Sequence, residues 1–344
     1  MNRREFIEGA AAFGLLSGSA SAEERPGAAQ GEIRAYLMHL GWNMWADQPV
    51  SKWGPYKPEE LDIITAADRF RTDMRVWNRV TEQMAKDGYN MIIVDLGEAL
   101  AYPSHPELAV KGSWSPDRMR EELRRLRALG LEPIPKLNFS ACHDIWLGEY
   151  SRMVSTSKYY EVCADLIRDV AEIFGHPRFL HLGFDEETAA HQKKFAFAVA
   201  RQGDLWWHDF LWFAETTRKA GMRPWIWSDA IWWHKSDFLS KMPKVVLQSN
   251  WYYGTSFALG TPLKKNRECD DVEADLELEK AGFDQVPTVS NWSHDENLRG
   301  TVEFARANIA PSRLKGFMMA PWFFPDPRWE GKLLDACRLG REAW

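Results

Sequence analysis

Short apolar runs and amphipathic segments alternate along the chain from residue 33 onward. Eight apolar runs predict β-strands, at residues 33–41, 89–97, 131–140, 179–185, 222–229, 244–251, 285–292 and 315–322. Patterns of helical spacing follow most of them, at residues 73–87, 116–129, 158–174, 205–220, 273–281, 298–308 and 331–342. After the fifth strand the pattern is weak, and residues 236–242 offer only a short helix. This alternation predicts an α/β fold with parallel strands.

The number and spacing of these units favour a closed barrel. Eight strand–helix units between residues 33 and 344 fit a single-domain (β/α)8 TIM barrel, a fold that takes roughly 250 residues. Glycines such as Gly88, Gly130 and Gly221 follow predicted helices and mark their ends. The alternative, an open doubly wound sheet, usually has a glycine-rich phosphate-binding turn after its first strand. Here the turn at residues 41–45 reads GWNMW, which lacks that motif.

The first 22 residues have the layout of an export signal. Arg3 and Arg4 precede a weakly apolar segment of small residues, which ends in an A-x-A cleavage pattern at residues 20–22. Paired arginines are typical of a twin-arginine signal. We therefore predict a signal peptide over residues 1–22, a linker over residues 23–32 and a protein that is periplasmic or secreted. No later stretch of the sequence is apolar for long enough to span a bilayer.

Composition narrows the range of partners. The net charge of −6 gives no reason to expect nucleic acid or an anionic membrane as a partner. The four cysteines are widely spaced and form no C-x-x-C pair, so we predict no structural zinc, and we predict no other metal or cofactor. The disulfide state and the oligomeric state stay open.

The fourth predicted strand leads into three consecutive carboxylates, Asp185, Glu186 and Glu187. Because neighbouring side chains of a strand point to opposite faces, His181, Gly183 and Asp185 share one face. We expect that face to look into the barrel. The acids then lie at the carboxyl end of the strand, where barrel enzymes have their active sites. In the alternative interpretation, the acids cap the next helix and lie in solvent.

Other polar residues, and many of the 18 tryptophans, also fall at predicted strand ends. A tryptophan is usually a core residue because it buries a large area, and we assign Trp207, Trp212 and Trp225 to the core. Tryptophans that recur beside carboxylates favour a carbohydrate cavity, since sugar rings stack on indoles while their hydroxyls bind carboxylates and amides. The residues at the strand ends are His39, Trp42, Trp45, Asp95, Glu98, Asn138, His143, Asp144, Trp227, Asp229, Trp232, Gln248, Asn250, Trp251, Tyr252, Asn291, Trp292, His294, Asp295, Trp322 and Asp326.

The segment His181-x-Gly183-x-Asp185-Glu186 resembles the H-x-G-x-D-E signature of glycoside hydrolase family 20, the β-N-acetylhexosaminidases. Looser similarities lie at residues 134–143, 227–229 and 248–251, in the family's strand order. The resemblance implies a glycoside hydrolase that removes a terminal N-acetylhexosamine by substrate-assisted, retaining catalysis. It makes Asp185 the residue that orients the acetamido group and Glu186 the general acid.

The strand-end pattern and the resemblance together predict a set of substrate-binding side chains around the acid pair, namely Arg34, His143, His181, Trp227, Asp229, Trp251, Tyr252, Trp292 and Trp322. Strict strand alternation would place Glu187, rather than Glu186, on the face of Asp185. Glu186 is the preferred acid only if the chain turns immediately after Asp185. The first strand keeps at most Arg34 of the family's R-G motif, and phenylalanines follow Trp322 where the family has a glutamate. These departures leave the sugar and its linkage open.

Three other functions also stay open. A two-carboxylate retaining glycosidase would use Asp295 or Glu296 as its nucleophile, with the two carboxyl groups about 5 Å apart. A metal-dependent sugar isomerase or epimerase would need several side chains to converge on a divalent ion. The candidate ligands are Glu98, His181, Asp185 and His294, which show no paired ligand spacing. Because a fold does not guarantee activity, a non-catalytic carbohydrate-binding barrel is the third alternative.

Overall fold

The structure is a computed structural model that describes residues 31–54 and 57–344, with the exception of the Glu59 side chain. The predicted signal peptide and most of the predicted linker lie outside the described residues. Among the described helices, none combines the length and the apolar character that a bilayer crossing requires.

Eight parallel strands form one sheet, and their order is β6-β5-β4-β3-β2-β1-β8-β7. Two single bridges, Gln248 to Gln285 and Trp251 to Thr288, join β6 to β7 and complete the ring. The predicted (β/α)8 TIM barrel is therefore confirmed for the described part of the chain. The strands are β1 Ile33–His39, β2 Met91–Asp95, β3 Glu132–Lys136, β4 Phe179–His181, β5 Arg223–Trp227, β6 Leu247–Ser249, β7 Thr288–Val289 and β8 Gly316–Met319.

Helices follow the strands where the sequence pattern predicts them. After β5 the chain forms two short helices, one more than the pattern indicates. The helices are α1 Met74–Lys86, α2 Pro116–Ala128, α3 Ser157–Phe174, α4 Asp204–Lys219, α5 Ala230–Trp233, α6 Lys235–Lys241, α7 Glu273–Ala281, α8 Asn297–Asn308 and α9 Glu330–Ala343. Asp73, Ser115 and Thr156 begin α1, α2 and α3 by accepting hydrogen bonds from backbone N–H groups of the first turn.

The alternation of β4 and its continuation separates two apolar cores. Leu180, Leu182 and Phe184 pack in the larger core between strands and helices. His181 lies inside the barrel, where its ring centroid is 4.5 Å from that of Trp227 and 5.5 Å from that of Trp225. The predicted division of this segment into an inward and an outward face therefore holds.

A buried charge network fills the upper part of the barrel interior. Lys136 Nζ lies 2.6 Å from Asp95 Oδ2, and His39 Nδ1 lies 3.0 Å from the same oxygen. Burial would raise the pKa of Asp95, but Lys136 and His39 together lower it to about 2. The charged lysine and carboxylate therefore neutralise one another below the carboxyl ends of the strands.

Candidate active site

A cavity of about 240 Å³ opens at the carboxyl ends of the strands. In the described part of the chain its lining has two charged residues, Asp185 and Glu186, and is otherwise aromatic or aliphatic. The remaining lining residues are Trp42, Trp45, Trp53, Ile64, Trp251, Tyr253, Trp292 and Trp322. This is the mixture of indole faces and a few carboxylates that the strand-end residues predict.

An unusual backbone turn brings both acids to the cavity. Gly183, Phe184 and Glu186 have φ angles of 73°, 70° and 54°, so the chain leaves strand geometry directly after His181. Only glycine fits at position 183, because a Cβ there would overlap the side chain of Asn138. The turn places Asp185 and Glu186 side by side, as the choice of Glu186 over Glu187 requires.

Glu187 has a different environment. Its Oε1 accepts a 2.7 Å hydrogen bond from Arg201 Nε, and Arg201 Nη1 also donates to Asp209 Oδ2 at 2.9 Å. All three side chains are buried. Glu187 thus belongs to an ion-pair cluster that anchors the segment after β4, and its carboxylate does not line the cavity. The sequence pattern gave no indication of Arg201.

Asp185 and Glu186 share one histidine. Asp185 Oδ1 accepts a 2.9 Å hydrogen bond from Asn138 Nδ2, which fixes the carboxylate. His143 Nε2 lies 3.4 Å from Asp185 Oδ2 and 3.3 Å from Glu186 Oε2. His191, on the loop after β4, lies 3.6 Å from the other oxygen of Glu186.

These contacts determine whether His143 or Glu186 is protonated. Burial lowers the pKa of His143, but the neighbouring Asp185 and Glu186 raise it to about 9. Burial raises the pKa of Glu186, yet the hydrogen bond and charge of His143 lower it overall. In the free site at neutral pH, His143 therefore carries the proton and Glu186 is ionised.

Asp229 holds the backbone of Glu186 and contacts one wall of the cavity. Its Oδ2 accepts a 2.9 Å hydrogen bond from the backbone N–H of Glu186, and its Oδ1 accepts one from Trp251 Nε1 at 3.4 Å. Burial and the charge of Asp185 raise the pKa of Asp229 to about 8. Asp229 thus holds the backbone of the acid and one aromatic wall, and it does not line the cavity itself.

Aromatic contacts fix the remaining walls. Trp251 stacks on Tyr253 with ring centroids 5.2 Å apart, and Trp322 Nε1 donates a 2.9 Å hydrogen bond to the Tyr253 hydroxyl. Trp227 is buried beneath Trp322, at 5.7 Å between centroids. His181 lies deeper still, and its Nδ1 accepts a hydrogen bond from the backbone N–H of Gly183. Trp227 and His181, expected as substrate-binding residues, therefore support the floor instead of lining the cavity.

Two other expected substrate-binding residues lie outside the cavity. Arg34 is at the amino end of β1, opposite Phe317 of β8 and 3.6 Å from Glu32, so it lies at the end of the barrel away from the cavity. The Tyr252 hydroxyl donates to the backbone carbonyl of Ser256 at 2.8 Å. Tyr253 occupies the wall in its place, because regular strand geometry ends at Ser249 and alternation no longer applies.

Besides Tyr253, three residues near the cavity were missed by sequence reasoning. Trp53 and Ile64 come from the long segment between β1 and α1, and His191 comes from the segment between β4 and α4. The two segments meet where the backbone N–H of Ala196 donates to Asp47 Oδ1 at 2.8 Å. Neither segment has a periodic pattern, so the sequence offered no signal that they cover the cavity.

The alternative sites do not assemble around the acid pair. Asp295 and Glu296 are exposed and line a separate depression beside α9. Glu98 accepts hydrogen bonds from the backbone N–H groups of Trp42 and Asn43. His294 is exposed and lies just before α8. Among the described residues, the group that could hold a metal ion is His143, Asp185 and Glu186, with ligand atoms within 4.8 Å of one another.

Comparison with known proteins gives structural matches without sequence matches. No protein-family model matches the chain, and no curated protein sequence is similar to it. Many solved structures, however, have the same barrel. The chain has the fold of the family 20 β-N-acetylhexosaminidase barrel.

Three of these structures illustrate the similarity. The Flavobacterium johnsoniae chitobiase is 14% identical with a TM-score of 0.58, over 81% of this chain and 47% of that chain. An exo-β-N-acetylglucosaminidase from Vibrio harveyi, in complex with N-acetylglucosamine, is 13% identical with a TM-score of 0.58, over 89% of this chain and 54% of that chain. A β-N-acetylhexosaminidase from Streptomyces coelicolor is 14% identical with a TM-score of 0.58, over 89% of this chain and 64% of that chain. This chain thus spans about half to two thirds of their length.

Proposed function

We propose that the protein is a glycoside hydrolase that removes a terminal N-acetylhexosamine by substrate-assisted, retaining catalysis. One observation carries the proposal: Asp185 and Glu186 both reach a tryptophan-walled cavity at the carboxyl ends of a (β/α)8 barrel. The fold similarity supports it, because the neighbouring structures are of chitobiase, N-acetylglucosaminidase and N-acetylhexosaminidase. We further propose that the protein is exported through its twin-arginine-type signal.

In the proposed reaction the acetamido carbonyl oxygen of the substrate attacks the anomeric carbon. Asp185, held by Asn138, accepts the acetamido N–H and stabilises the positive charge that develops in the ring formed by that attack. The bond to the leaving oxygen breaks as Glu186 protonates that oxygen. Water then adds to the anomeric carbon from the face that the leaving group left, and Glu186 takes a proton from that water. The bond between the anomeric carbon and the acetamido oxygen breaks, which restores the acetamido group.

Glu186 needs a proton that it lacks in the free site. A sugar in the cavity removes water from the half-buried Glu186, and this desolvation raises the pKa of its carboxyl group. His143 Nε2 lies 3.3 Å from Glu186 Oε2 and holds a proton up to a pH of about 9. We propose that His143 supplies this proton, so turnover falls as the pH rises through the pKa of His143.

The decisive experiment uses aryl glycosides with and without the 2-acetamido group. The wild-type protein is expected to hydrolyse the N-acetylhexosaminide and to leave the matching 2-hydroxy glycoside largely intact. Equal turnover of both substrates would overturn substrate assistance. An N-acetyl-thiazoline, which resembles the cyclised intermediate, should inhibit competitively.

Variants of the acid give the second test. Glu186→Gln should lose turnover of substrates with poor leaving groups by a factor of about 10²–10⁴, the usual contribution of general acid catalysis. Glu296→Gln is the matched control, since that carboxylate is exposed on a different surface. Unchanged activity in Glu186→Gln would remove this residue from the mechanism. For export, the mature N-terminus in the periplasmic fraction should begin at Glu23.

A further inference from the structure

The segment between β4 and α4 brings a second histidine to the proposed general acid. His191 Nε2 lies 3.6 Å from Glu186 Oε1, while His143 Nε2 lies 3.3 Å from the other carboxylate oxygen, Oε2. The two histidines differ in their surroundings, since the side chain of His143 is buried and that of His191 is 43% exposed. The carboxylate of Glu186 therefore lies between one buried and one exposed histidine, each beside a different oxygen.

A short hydrogen-bonded turn returns the chain from Glu186 to His191. The backbone N–H of Thr188 donates to the Glu186 carbonyl at 2.7 Å, and the backbone N–H of His191 donates to the Thr188 carbonyl at 3.1 Å. The Thr188 hydroxyl also lies 2.8 Å from His191 Nδ1. Because this contact fixes the Nδ1 edge of the ring, the opposite nitrogen, Nε2, faces the Glu186 carboxylate.

The partners of the ring determine which nitrogen carries the hydrogen in neutral His191. An ionised carboxylate only accepts hydrogen bonds, so Nε2 must be the donor toward Glu186. Nδ1 is then the acceptor of the Thr188 hydroxyl, whose oxygen in turn accepts the backbone N–H of His191 at 3.4 Å. Thr188 thus selects the form of the ring that can donate to Glu186.

The loop that carries His191 is held in place by its own contacts. The buried Gln192 side chain exchanges two 2.6 Å hydrogen bonds with the backbone of Val199. Lys194 Nζ lies 3.7 Å from the ring centroid of Trp53, a wall of the cavity, at the distance of a cation–π interaction. The position of His191 is therefore determined by the loop and does not depend on its contact with Glu186.

A glutamate that acts as an acid needs such a contact, because rotation of its carboxyl group about the last side-chain bond has no sharp preference. A donor on Oε1 of Glu186 keeps Oε2 beside His143, the proposed proton source. The distance of 3.6 Å from His191 to Oε1 is longer than a hydrogen bond. Contacts of this kind often shorten when a substrate fills the site.

We propose that His191 is a positioning residue for the general acid and that Thr188 orients it. This inference rests on the proposed function. His191 holds Oε1 of Glu186, so that Oε2 receives the proton of His143 and passes it to the leaving oxygen as the glycosidic bond breaks.

Kinetics on two leaving groups test the inference. His191→Ala should lower kcat for an N-acetylhexosaminide with a poor leaving group by about five- to tenfold, the effect of one lost hydrogen bond, with KM nearly unchanged. It should have little effect when the leaving group departs without protonation. Thr188→Val should show part of the same loss, and Thr188→Ser should restore the activity. His208→Ala is the control, because His208 is exposed on α4.

Three kinetic results would contradict the inference. Unchanged kcat in His191→Ala with the poor leaving group, or an equal loss of kcat with both leaving groups, would overturn the positioning role of His191. Wild-type activity in Thr188→Val would overturn the orienting role of Thr188.

A measurement without turnover separates this inference from the proposed function. Burial raises the pKa of Glu186, and His143 and then His191 lower it. The pKa of Glu186, followed through the ¹³C NMR signal of its carboxyl carbon, should therefore rise in His191→Ala and stay the same in His208→Ala. An unchanged pKa in His191→Ala would overturn the inference. If the pKa rises but the wild-type protein cleaves no glycoside, the proposed function fails and the contact between His191 and Glu186 stands.

Discussion

Asp229 should control the acid without touching the substrate. Its carboxylate accepts the backbone N–H of Glu186 at 2.9 Å and so stabilises the left-handed conformation of that residue, at a φ of 54°. In Asp229→Ala this buried N–H loses its partner, at a cost of about 1–3 kcal/mol. If that cost appears as a lower population of the productive Glu186 conformation, acid-dependent steps slow by about 5- to 150-fold.

The assay is a series of aryl N-acetylhexosaminides whose leaving groups span a wide range of phenol pKa values. A phenol of low pKa departs without protonation, so Asp229→Ala should leave its kcat/KM nearly unchanged. The loss of kcat/KM in Asp229→Ala should grow as the pKa of the phenol rises. Asp229→Asn keeps an acceptor oxygen, and it resembles the natural residue at neutral pH because the pKa of Asp229 is about 8. It should therefore retain most of the activity.

Two results would refute this reasoning. A uniform loss across the whole series in Asp229→Ala, with an unchanged melting temperature, would mean that Asp229 acts on substrate binding rather than on the acid. A loss in Asp229→Asn as large as in Asp229→Ala would mean that the charge, and not the acceptor oxygen, matters.

Four further results are expected. Because the pKa of His143 is raised from 6.5 to about 9, its contribution to stability is complete below pH 6.5 and is lost as the pH rises through 9. His143→Gln should therefore reduce the difference between urea unfolding free energies at pH 6 and pH 9.5. Arg201→Met leaves Glu187 buried without its partner and should cost about 3–5 kcal/mol in the same assay. Tyr253→Phe removes the hydroxyl that accepts the hydrogen bond from Trp322 Nε1. Loss of this bond, at about 1 kcal/mol, should lower kcat/KM about fivefold. Tyr252→Phe should leave kcat/KM unchanged. Dialysis against EDTA should leave turnover unchanged, and a loss restored by a divalent ion would revive the isomerase alternative.

The barrel was predictable from sequence because its strands are apolar runs that end at recognisable glycines and polar residues. The same alternation located His181 inside the barrel and Phe184 outside it. What alternation could not supply was the turn from Gly183 to Glu186, since two of its left-handed residues, Phe184 and Glu186, are not glycine. Here the resemblance to a known signature, and not the residue pattern, pointed to Glu186.

The parts of the site that were missed come from segments without a regular repeat. Tyr252 was expected in place of Tyr253 because strand spacing was extended past the end of β6. Arg34 was expected on the basis of a partial motif, although it lies at the amino end of its strand. Trp53 reaches the cavity through tertiary packing of a long loop, which no local pattern encodes.

The joint between β6 and β7 has a consequence for the cavity. Between β6 and β7 the backbone pairing consists of two single bridges, and one of them belongs to Trp251. That tryptophan is also a wall of the cavity and a donor to Asp229. One residue therefore takes part in closing the cylinder, in walling the cavity and in holding Asp229. A substitution that displaces Trp251 is expected to disturb all three together.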